Sequence, residues 1–186
     1  MTTHEHITLV PVSQDELATF KKELQEAFMK GLQDSFQEAE NPTEMGPIPA
    51  DEDFEHSLTA KDSVVRQLIQ NGERIGGVVL KINEETQRNE VDFLYTLASA
   101  HGKGLGTKAW QAIEAAFPET KMWELHTPYF EKRNIHFYVN KCGFKIVEFY
   151  NHNNPGPNVE GKEPESDEEY EFLRFEKIML KESCEL

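Results

Sequence analysis

The feature that most constrains this chain is a glycine-rich segment at its centre, His101-Gly-Lys-Gly-Leu-Gly-Thr107. It follows a run with strand-like alternation and precedes apolar residues at helical spacing, which predicts a strand, a glycine loop and a helix in that order. The first turn of a helix carries unpaired amides and a partial positive charge, and glycines let the backbone approach an anion closely. The segment therefore predicts a phosphate-binding loop.

The spacing of the glycines excludes two common phosphate-binding motifs. A Walker loop requires G-x-x-x-x-G-K-[ST], but the fifth residue after Gly102 is Thr107. A dinucleotide fingerprint requires G-x-G-x-x-G, and Gly102, Gly104 and Gly106 have a different spacing. A nucleotide-hydrolysing enzyme is therefore not expected. The alternative interpretation of the segment is a glycine-rich turn that begins a helix and binds no ligand.

Hydrophobic periodicity along the rest of the chain predicts one α/β domain with the strand–glycine loop–helix unit in its middle. Asn71-Gly72 lies between two apolar runs and predicts a two-residue hairpin, because both residues tolerate positive φ. The predicted strands cover residues 6–12, 64–70, 74–82, 90–97, 121–127, 144–150 and 170–180. The predicted helices cover residues 13–33, 51–61, 104–117 and 129–141.

The strand before the glycine loop is predicted to alternate without interruption. One face would then carry Val91, Phe93, Tyr95 and Leu97, and the other Glu90, Asp92, Leu94 and Thr96. This pattern would bring the two acids to the same face as the residues that lead into the loop.

Composition limits the partners of the chain. The 186 residues include 34 acids and 19 bases, and the net charge is −15. Binding to a nucleic-acid backbone depends on Lys and Arg that displace counterions, so we expect no nucleic acid. The negative field instead favours a cationic small molecule or a basic peptide.

Compartment and metal content are also constrained. No apolar run approaches the roughly 20 residues of a membrane helix, and the start of the chain lacks the basic and apolar regions of a signal peptide. Cys142 and Cys184 form no CxxC pair, and no His/Cys/Asp spacing is typical of zinc. We expect a cytoplasmic protein with no membrane contact, no disulfide framework and no metal.

Two segments carry a resemblance to a known family. His101-Gly-Lys-Gly104-Leu-Gly106 resembles motif A of the GCN5-related N-acetyltransferase (GNAT) family, [QR]-x-x-G-x-[GA] between a strand and a helix, with His101 in place of the usual Gln or Arg. Residues 134–144, with Tyr138 and Gly143-Phe144, are similar to the family's later helix and Gly-Phe turn. Seven residues before Tyr138, where the family often has Asn, this chain has Glu131. Asn134 lies one helical turn later on the same face and could take the role of that Asn.

The resemblance implies a fold and a division of the chain. The fold is a GNAT-type mixed, mostly antiparallel sheet with helices on both faces, in which the fourth and fifth strands are parallel and splayed apart. The chain is one N-acetyltransferase domain. Its parts are variable acceptor-side helices at 1–62, an acetyl-CoA-binding core at 63–150, an acidic loop at 151–170, and a final strand and tail at 171–186.

The resemblance also implies where acetyl-CoA binds as co-substrate. The pantetheine arm enters the gap between the splayed strands and pairs with the backbone, and amides of the glycine loop hold the pyrophosphate. The residues implied for the pantetheine are Leu94, Tyr95 and Thr96, with Asn134 nearby. Those implied for the pyrophosphate are His101, Gly102, Lys103, Gly104, Leu105, Gly106 and Thr107.

Acetyl transfer to an amine requires a base for the amine and an acid for the leaving thiolate. Glu90 is the first candidate base, because it occupies the position at which several family members have a glutamate base. Asp92 is a competing candidate, and His126 is a further one. The structural alternative is that both acids are solvated strand residues. Tyr138 is the candidate acid, and its alternative is a core tyrosine. Either base could act through a water.

Two functions remain open. The first is transfer of an acetyl group from acetyl-CoA to an amine by direct attack in a ternary complex. The acceptor is not identified, and the acidic composition favours a cationic one such as a polyamine, an amino sugar or a lysine-bearing peptide. The second is an acyl-CoA-binding module without catalysis. Exposed edges of the terminal strands also allow a homodimer.

Overall fold

The computed structural model of the chain describes residues 6–35, 47–100, 102, 104–156 and 171–179. The predicted order of elements is confirmed. The strands are β1 (Ile7–Pro11), β2 (Ser63–Gln70), β3 (Glu73–Lys81), β4 (Arg88–Thr96), β5 (Met122–Pro128), β6 (Lys145–Tyr150) and β7 (Phe172–Ile178). The helices are α1 (Leu17–Ser35), α2 (Asp51–Thr59), α3 (Leu105–Ala116) and α4 (Lys132–His136), and a π-helical turn (Phe137–Lys141) extends α4.

The hairpin between β2 and β3 is confirmed, while the predicted start of α4 is wrong by one turn. Asn71 and Gly72 both have positive φ, at 52° and 81°. The fourth helix begins at Lys132 rather than Tyr129, because the Glu131 amide first closes a turn onto the Pro128 carbonyl at 3.1 Å. Most of the acidic loop, the tail, His101 and Lys103 lie outside the described residues.

The strands form one seven-stranded sheet in the order β1-β2-β3-β4-β5-β7-β6. Only the β4–β5 pairing is parallel; the others are antiparallel. Helices pack on both faces, as the family resemblance implies. A core on one side joins the sheet to α3, and a second core joins it to α1 and α2. No described helix is both long and apolar enough to cross a membrane.

The parallel strands β4 and β5 separate along their length. They pair only over residues 88–91 and 122–125, and the last pair is Val91 with Leu125. Yet β4 continues to Thr96 and β5 to Pro128. The predicted splay of the fourth and fifth strands is therefore confirmed, and it leaves the carboxyl end of β4 without β5 beside it.

The uninterrupted alternation predicted along β4 is wrong at Asp92. On β3, Leu80 pairs with Val91 while Val79 pairs with Phe93, so Asp92 is an extra residue that forms a β-bulge. Beyond the bulge the faces are exchanged, and Phe93 packs in the core beneath α1 and α2. Leu94 packs on the α3 side instead, so it does not share a face with the two acids.

Helix α3 is held against its face of the sheet by aromatic packing. Trp110 of α3 is 1% exposed, and its ring lies edge-on to Trp123 of β5 at 5.5 Å between centroids. Phe144, at the turn before β6, contacts the same ring at 5.0 Å. Burial of each such side chain stabilises the fold by about 2 kcal/mol. This packing fixes the amino end of α3 relative to the gap in the sheet.

Candidate active site

A cleft of about 410 Å³ lies against the end of β4 that β5 does not pair with. Its walls come from four parts of the fold: the carboxyl-terminal half of α1, residues 94–96 of β4, the glycine loop with the first turn of α3, and α4 with its π-helical turn. The predicted site residues that line it are Leu94, Tyr95, Thr96, Gly102, Gly104, Leu105, Gly106, Thr107, Asn134 and Tyr138.

The glycine loop turns the chain sharply into α3. Gly102 and Gly104 have φ values of 79° and 66°, in the left-handed region that side chains with a Cβ rarely adopt. A Cβ at Gly104 would meet no atom within 4 Å, so the backbone conformation, and not lack of space, requires glycine there. Gly106 differs, because its Cβ would lie 3.0 Å from the Phe137 ring of the π-helical turn.

The first turn of α3 presents unpaired amides to the cleft. The first helical hydrogen bond joins the Lys108 amide to the Gly104 carbonyl at 3.3 Å, so the amides of Leu105, Gly106 and Thr107 have no carbonyl partner within the helix. No described side chain caps this helix end. These amides and the positive end of a 12-residue helix together favour an anion.

Tyr138 lies in the π-helical turn on the wall of the cleft. The turn is closed by a bond from the Cys142 amide to the Phe137 carbonyl at 3.1 Å. The Tyr138 residue is only 8% exposed, and its ring contacts Phe144 and Phe175. Burial, and secondarily Cys142, raises the pKa of Tyr138 well above the ordinary value of about 10. The hydroxyl therefore keeps its proton at neutral pH.

Tyr95 also lines the cleft, but its side chain is held in the core beneath α1. Its hydroxyl donates to Glu23 at 3.2 Å, and its ring lies edge-on to Phe20 at 5.4 Å. Glu23 in turn forms an ion pair with Arg74 at 2.6 Å. Burial, followed by Glu23, raises the pKa of Tyr95. The side chain is thus fixed by the fold.

Glu90 is not among the residues that line this cleft. It lies on the sheet face covered by α1 and α2, and its carboxylate is 3.7 Å from His126 Nδ1 and 3.8 Å from Lys81 Nζ. The neighbouring His126 lowers the pKa of Glu90, Lys81 lowers it further, and burial opposes both effects. Glu90 is consequently a charged carboxylate with two neighbouring partners.

Asp92 is enclosed more fully than Glu90. Its carboxylate accepts a hydrogen bond from the Ser57 hydroxyl of α2 and pairs with Lys81 at 3.0 Å, and its side chain is 9% exposed. Burial raises the pKa of Asp92, while Ser57 and Lys81 oppose that shift. Burial also lowers the pKa of Lys81, but Asp92 and Glu90 outweigh it and leave that pKa raised.

His126 follows Leu125 on β5, immediately after the last residue that pairs with β4. Its ring is stacked on the Tyr150 ring at 6.0 Å and 20°. Ser57 and Lys81, which contact the acids, and Tyr150, which stacks on His126, were not identified from the sequence. They lie on elements distant in the chain, and only the pairing of the sheet brings them together.

Asn134 and Glu131, the two alternatives for one family position, both line the cleft. Burial raises the pKa of Glu131, and Arg133 opposes this shift. Arg133 pairs with Asp34 of α1 at 3.3 Å, which links α4 to α1 across the cleft. Within the described residues, no group of three or more His, Cys, Asp or Glu side chains could hold a metal ion.

Comparison with known proteins identifies relatives of this chain. The family model described as acetyltransferase (GNAT) family matches residues 23–144. The chain is 45% identical over 179 residues to the Bacillus subtilis (strain 168) protein described as "Uncharacterized protein YrkN". That alignment covers 94% of this chain and 95% of the relative.

Two solved structures share the fold at low sequence identity. One is a spermidine N-acetyltransferase from Vibrio cholerae in complex with CoA and spermine, with a TM-score of 0.60, 16% identity, and coverage of 93% of this chain and 95% of that chain. The other is a GNAT family acetyltransferase from Elizabethkingia anophelis with acetyl-CoA bound. Its TM-score is 0.60, with 14% identity and coverage of 94% of this chain and 99% of that chain.

Proposed function

The chain belongs to the GNAT acetyltransferase family, and from this premise we propose that it transfers the acetyl group of acetyl-CoA to an amine by direct attack in a ternary complex. The observation that carries the proposal is the cleft that joins the unpaired end of β4 to the amino end of α3. Such a cleft can receive a thioester arm at one end and its diphosphate at the other.

The residues of the cleft fit acetyl-CoA. The amides of Leu105, Gly106 and Thr107 would hold the pyrophosphate, because they lack helical partners and lie at the positive end of α3. Gly102 and Gly104 give the loop its left-handed turns, and His101 and Lys103 belong to the same proposed site outside the described residues. A volume of about 410 Å³ is within the usual range for ligand sites.

The pantetheine arm would lie along the end of β4. Leu94 packs into the α3-side core and the Tyr95 side chain into the other core, so these residues offer mainly their main chain to a ligand. Thr96 and Asn134 complete this part of the cleft. Tyr138 would protonate the CoA sulfur as it leaves, which is supported by its place on the wall and its retained proton.

Glu90 is proposed to assist the deprotonation of the amine from the face beneath α1 and α2. Asp92 is the weaker candidate, because Ser57 and Lys81 already occupy its carboxylate.

A cationic acceptor is favoured by the net charge of −15. The spermidine enzyme that shares this fold is in complex with spermine, so a polyamine is a suitable first probe.

A panel of amines tests the proposal directly. Spermine, an amino sugar and a lysine-bearing peptide are each incubated with acetyl-CoA and the protein, and thiol release is followed. We expect release with at least one cationic amine. Tight binding of acetyl-CoA without release in any case would instead support the acyl-CoA-binding module.

Gly104→Ala is expected to weaken acetyl-CoA binding at least tenfold, or about 1.4 kcal/mol. The substitution disfavours the left-handed turn that aims the first amides of α3, a cost of roughly 1–2 kcal/mol. The matched control is Gly72→Ala in the β2–β3 hairpin, which also has positive φ and open space around a Cβ. Calorimetric titration should give an unchanged dissociation constant for the control; equal weakening in both variants would contradict the site.

A further inference from the structure

We propose that His126 takes the proton that the amine gives up, and that Glu90 is the positioning residue that holds the His126 ring. The inference rests on the proposed function, since it names the base of the same acetyl transfer. It is carried by the position of the two side chains at the opening of the sheet and by their contacts.

The pair spans the point where β4 and β5 part. The last rung between these strands is Val91 with Leu125, and both of these side chains belong to the α3-side core. Glu90 and His126 are their neighbours along the strands, so they project to the opposite face. Glu90 Oε1 and His126 Nδ1 lie 3.7 Å apart there.

The two ring nitrogens of His126 have different surroundings. Nδ1 faces the Glu90 carboxylate, whereas Nε2 is buried and has no hydrogen-bond partner in the part of the chain that the structure describes. Burying a polar atom without a partner is unfavourable. The Tyr150 ring, stacked at 6.0 Å, holds the imidazole plane. Neither His126 nor Glu90 lines the cleft, so the proposal requires that an amine enter between the separated strands β4 and β5 to give Nε2 the partner it lacks.

The nearby carboxylate favours the tautomer that a base requires. With its proton on Nδ1 and pointed at Glu90, the neutral imidazole has an unshared pair on Nε2. Glu90 itself is a poor proton acceptor, because its pKa is lowered by His126 and then by Lys81. Its negative charge instead stabilises the imidazolium that forms when Nε2 is protonated.

Other charged groups face His126 from the neighbouring strands. Arg174 of β7 is its direct cross-strand partner, and Glu124 is two residues away on β5. Arg174 is itself bonded to the carboxylates of Glu124, Glu148 and Glu176. Among the described residues, Arg174 therefore engages neither Glu90 nor Asp92. Lys81 of β3 pairs with both of these acids, and the Tyr150 ring of β6 stacks on His126.

The proposed step is balanced in protons and bonds. The neutral amine nitrogen forms a bond to the thioester carbonyl carbon, and the carbon–sulfur bond breaks. His126 Nε2 takes the proton from nitrogen, and Tyr138 gives its proton to the CoA sulfur. The products are the N-acetyl amine and CoA thiol, and solvent returns a proton from His126 to Tyr138.

The first test compares rate–pH profiles of the wild type, His126→Gln and Glu90→Gln with an active amine. We expect His126→Gln to lower kcat about 100-fold and to remove the acidic limb of the profile. Glu90→Gln should lower kcat by less than His126→Gln does and retain the acidic limb, because the imidazole that accepts the proton is still present. His56→Gln, at an exposed histidine of α2, is the control and should match the wild type.

The second test does not depend on turnover. The ¹⁵N chemical shifts of the His126 ring are expected to identify the Nδ1–H tautomer of the neutral ring, and an Nε2–H ring overturns the proposal. A rate–pH profile whose acidic limb persists in His126→Gln and disappears in Glu90→Gln would also overturn the proposal. A wild-type protein that transfers acetyl to no amine contradicts the proposed function itself, whereas transfer with an unaltered His126→Gln profile contradicts only the role of His126.

Discussion

Tyr138→Phe is expected to lower kcat about 1,000-fold, while the dissociation constant of acetyl-CoA changes less than about twofold. The variant loses only the hydroxyl, and its ring keeps the contacts with Phe144 and Phe175 that hold the π-helical turn. Without a proton donor the thiolate must leave unprotonated, so the chemical step slows while binding is retained. Thiol-release kinetics and calorimetric titration of acetyl-CoA measure the two effects separately.

Tyr129→Phe is the matched control for Tyr138→Phe. Tyr129 is 44% exposed, and Lys132 Nζ lies over its ring at 3.0 Å from the centroid, so the ring contact survives loss of the hydroxyl. We expect this control to keep the wild-type kcat, and urea midpoints to show that both variants are folded. An unchanged kcat in Tyr138→Phe would remove Tyr138 from the reaction and return it to the role of a core tyrosine.

The order and type of the elements were predictable because each depends on local patterns. The helical spacing after the glycine loop and the Asn71-Gly72 turn are both set by residues adjacent in the chain. The separation of β4 from β5 was implied only by the family resemblance, since the residue pattern of neither strand shows where their pairing ends. Pairing between strands is a property of the whole sheet.

The bulge at Asp92 could not be read from the sequence. Residues 90–97 fit a regular strand, and the extra residue becomes visible only through the unequal pairing of Val79 and Leu80 on β3. The bulge places Leu94 on the opposite face of the sheet from the two acids, of which Asp92 contacts Ser57 and both lie near Lys81. His126 was predicted only as a further base at the end of the fifth strand, and its contact with Glu90 depends on the pairing of β4 with β5, which neither strand's own pattern reveals.

Two adjacent glycines in β3 are a further sequence signal for the position of β4. The pair Gly76-Gly77 interrupts an otherwise apolar strand, and glycine within a strand often marks close approach of another backbone. In the fold, Gly76 pairs with Thr96 at the end of β4, beside the cleft. The approach of these two strands thus sets the position of the segment proposed to bind pantetheine.

Gly76→Ala is therefore expected to lower the free energy of unfolding by about 3 kcal/mol or more. Its Cβ would lie 2.2 Å from the Tyr95 carbonyl oxygen and 3.0 Å from the Thr96 Cα, and main-chain atoms cannot rotate away as a side-chain end can. Urea denaturation should give a lower midpoint with an unchanged slope. At Gly77 the nearest atoms belong to the Phe20 and Tyr95 rings, so Gly77→Ala tests whether a side-chain clash costs less.

The matched control for Gly76→Ala is Gly31→Ala within α1. A Cβ at Gly31 would meet no atom within 4 Å, and alanine in a helix interior is favoured over glycine by about 0.5–1 kcal/mol. The same substitution should thus stabilise the protein at one position and destabilise it severely at the other. An unchanged midpoint in Gly76→Ala would mean that β3 and β4 can separate at Thr96 without cost, in which case the end of β4 is not held firmly enough to position a thioester.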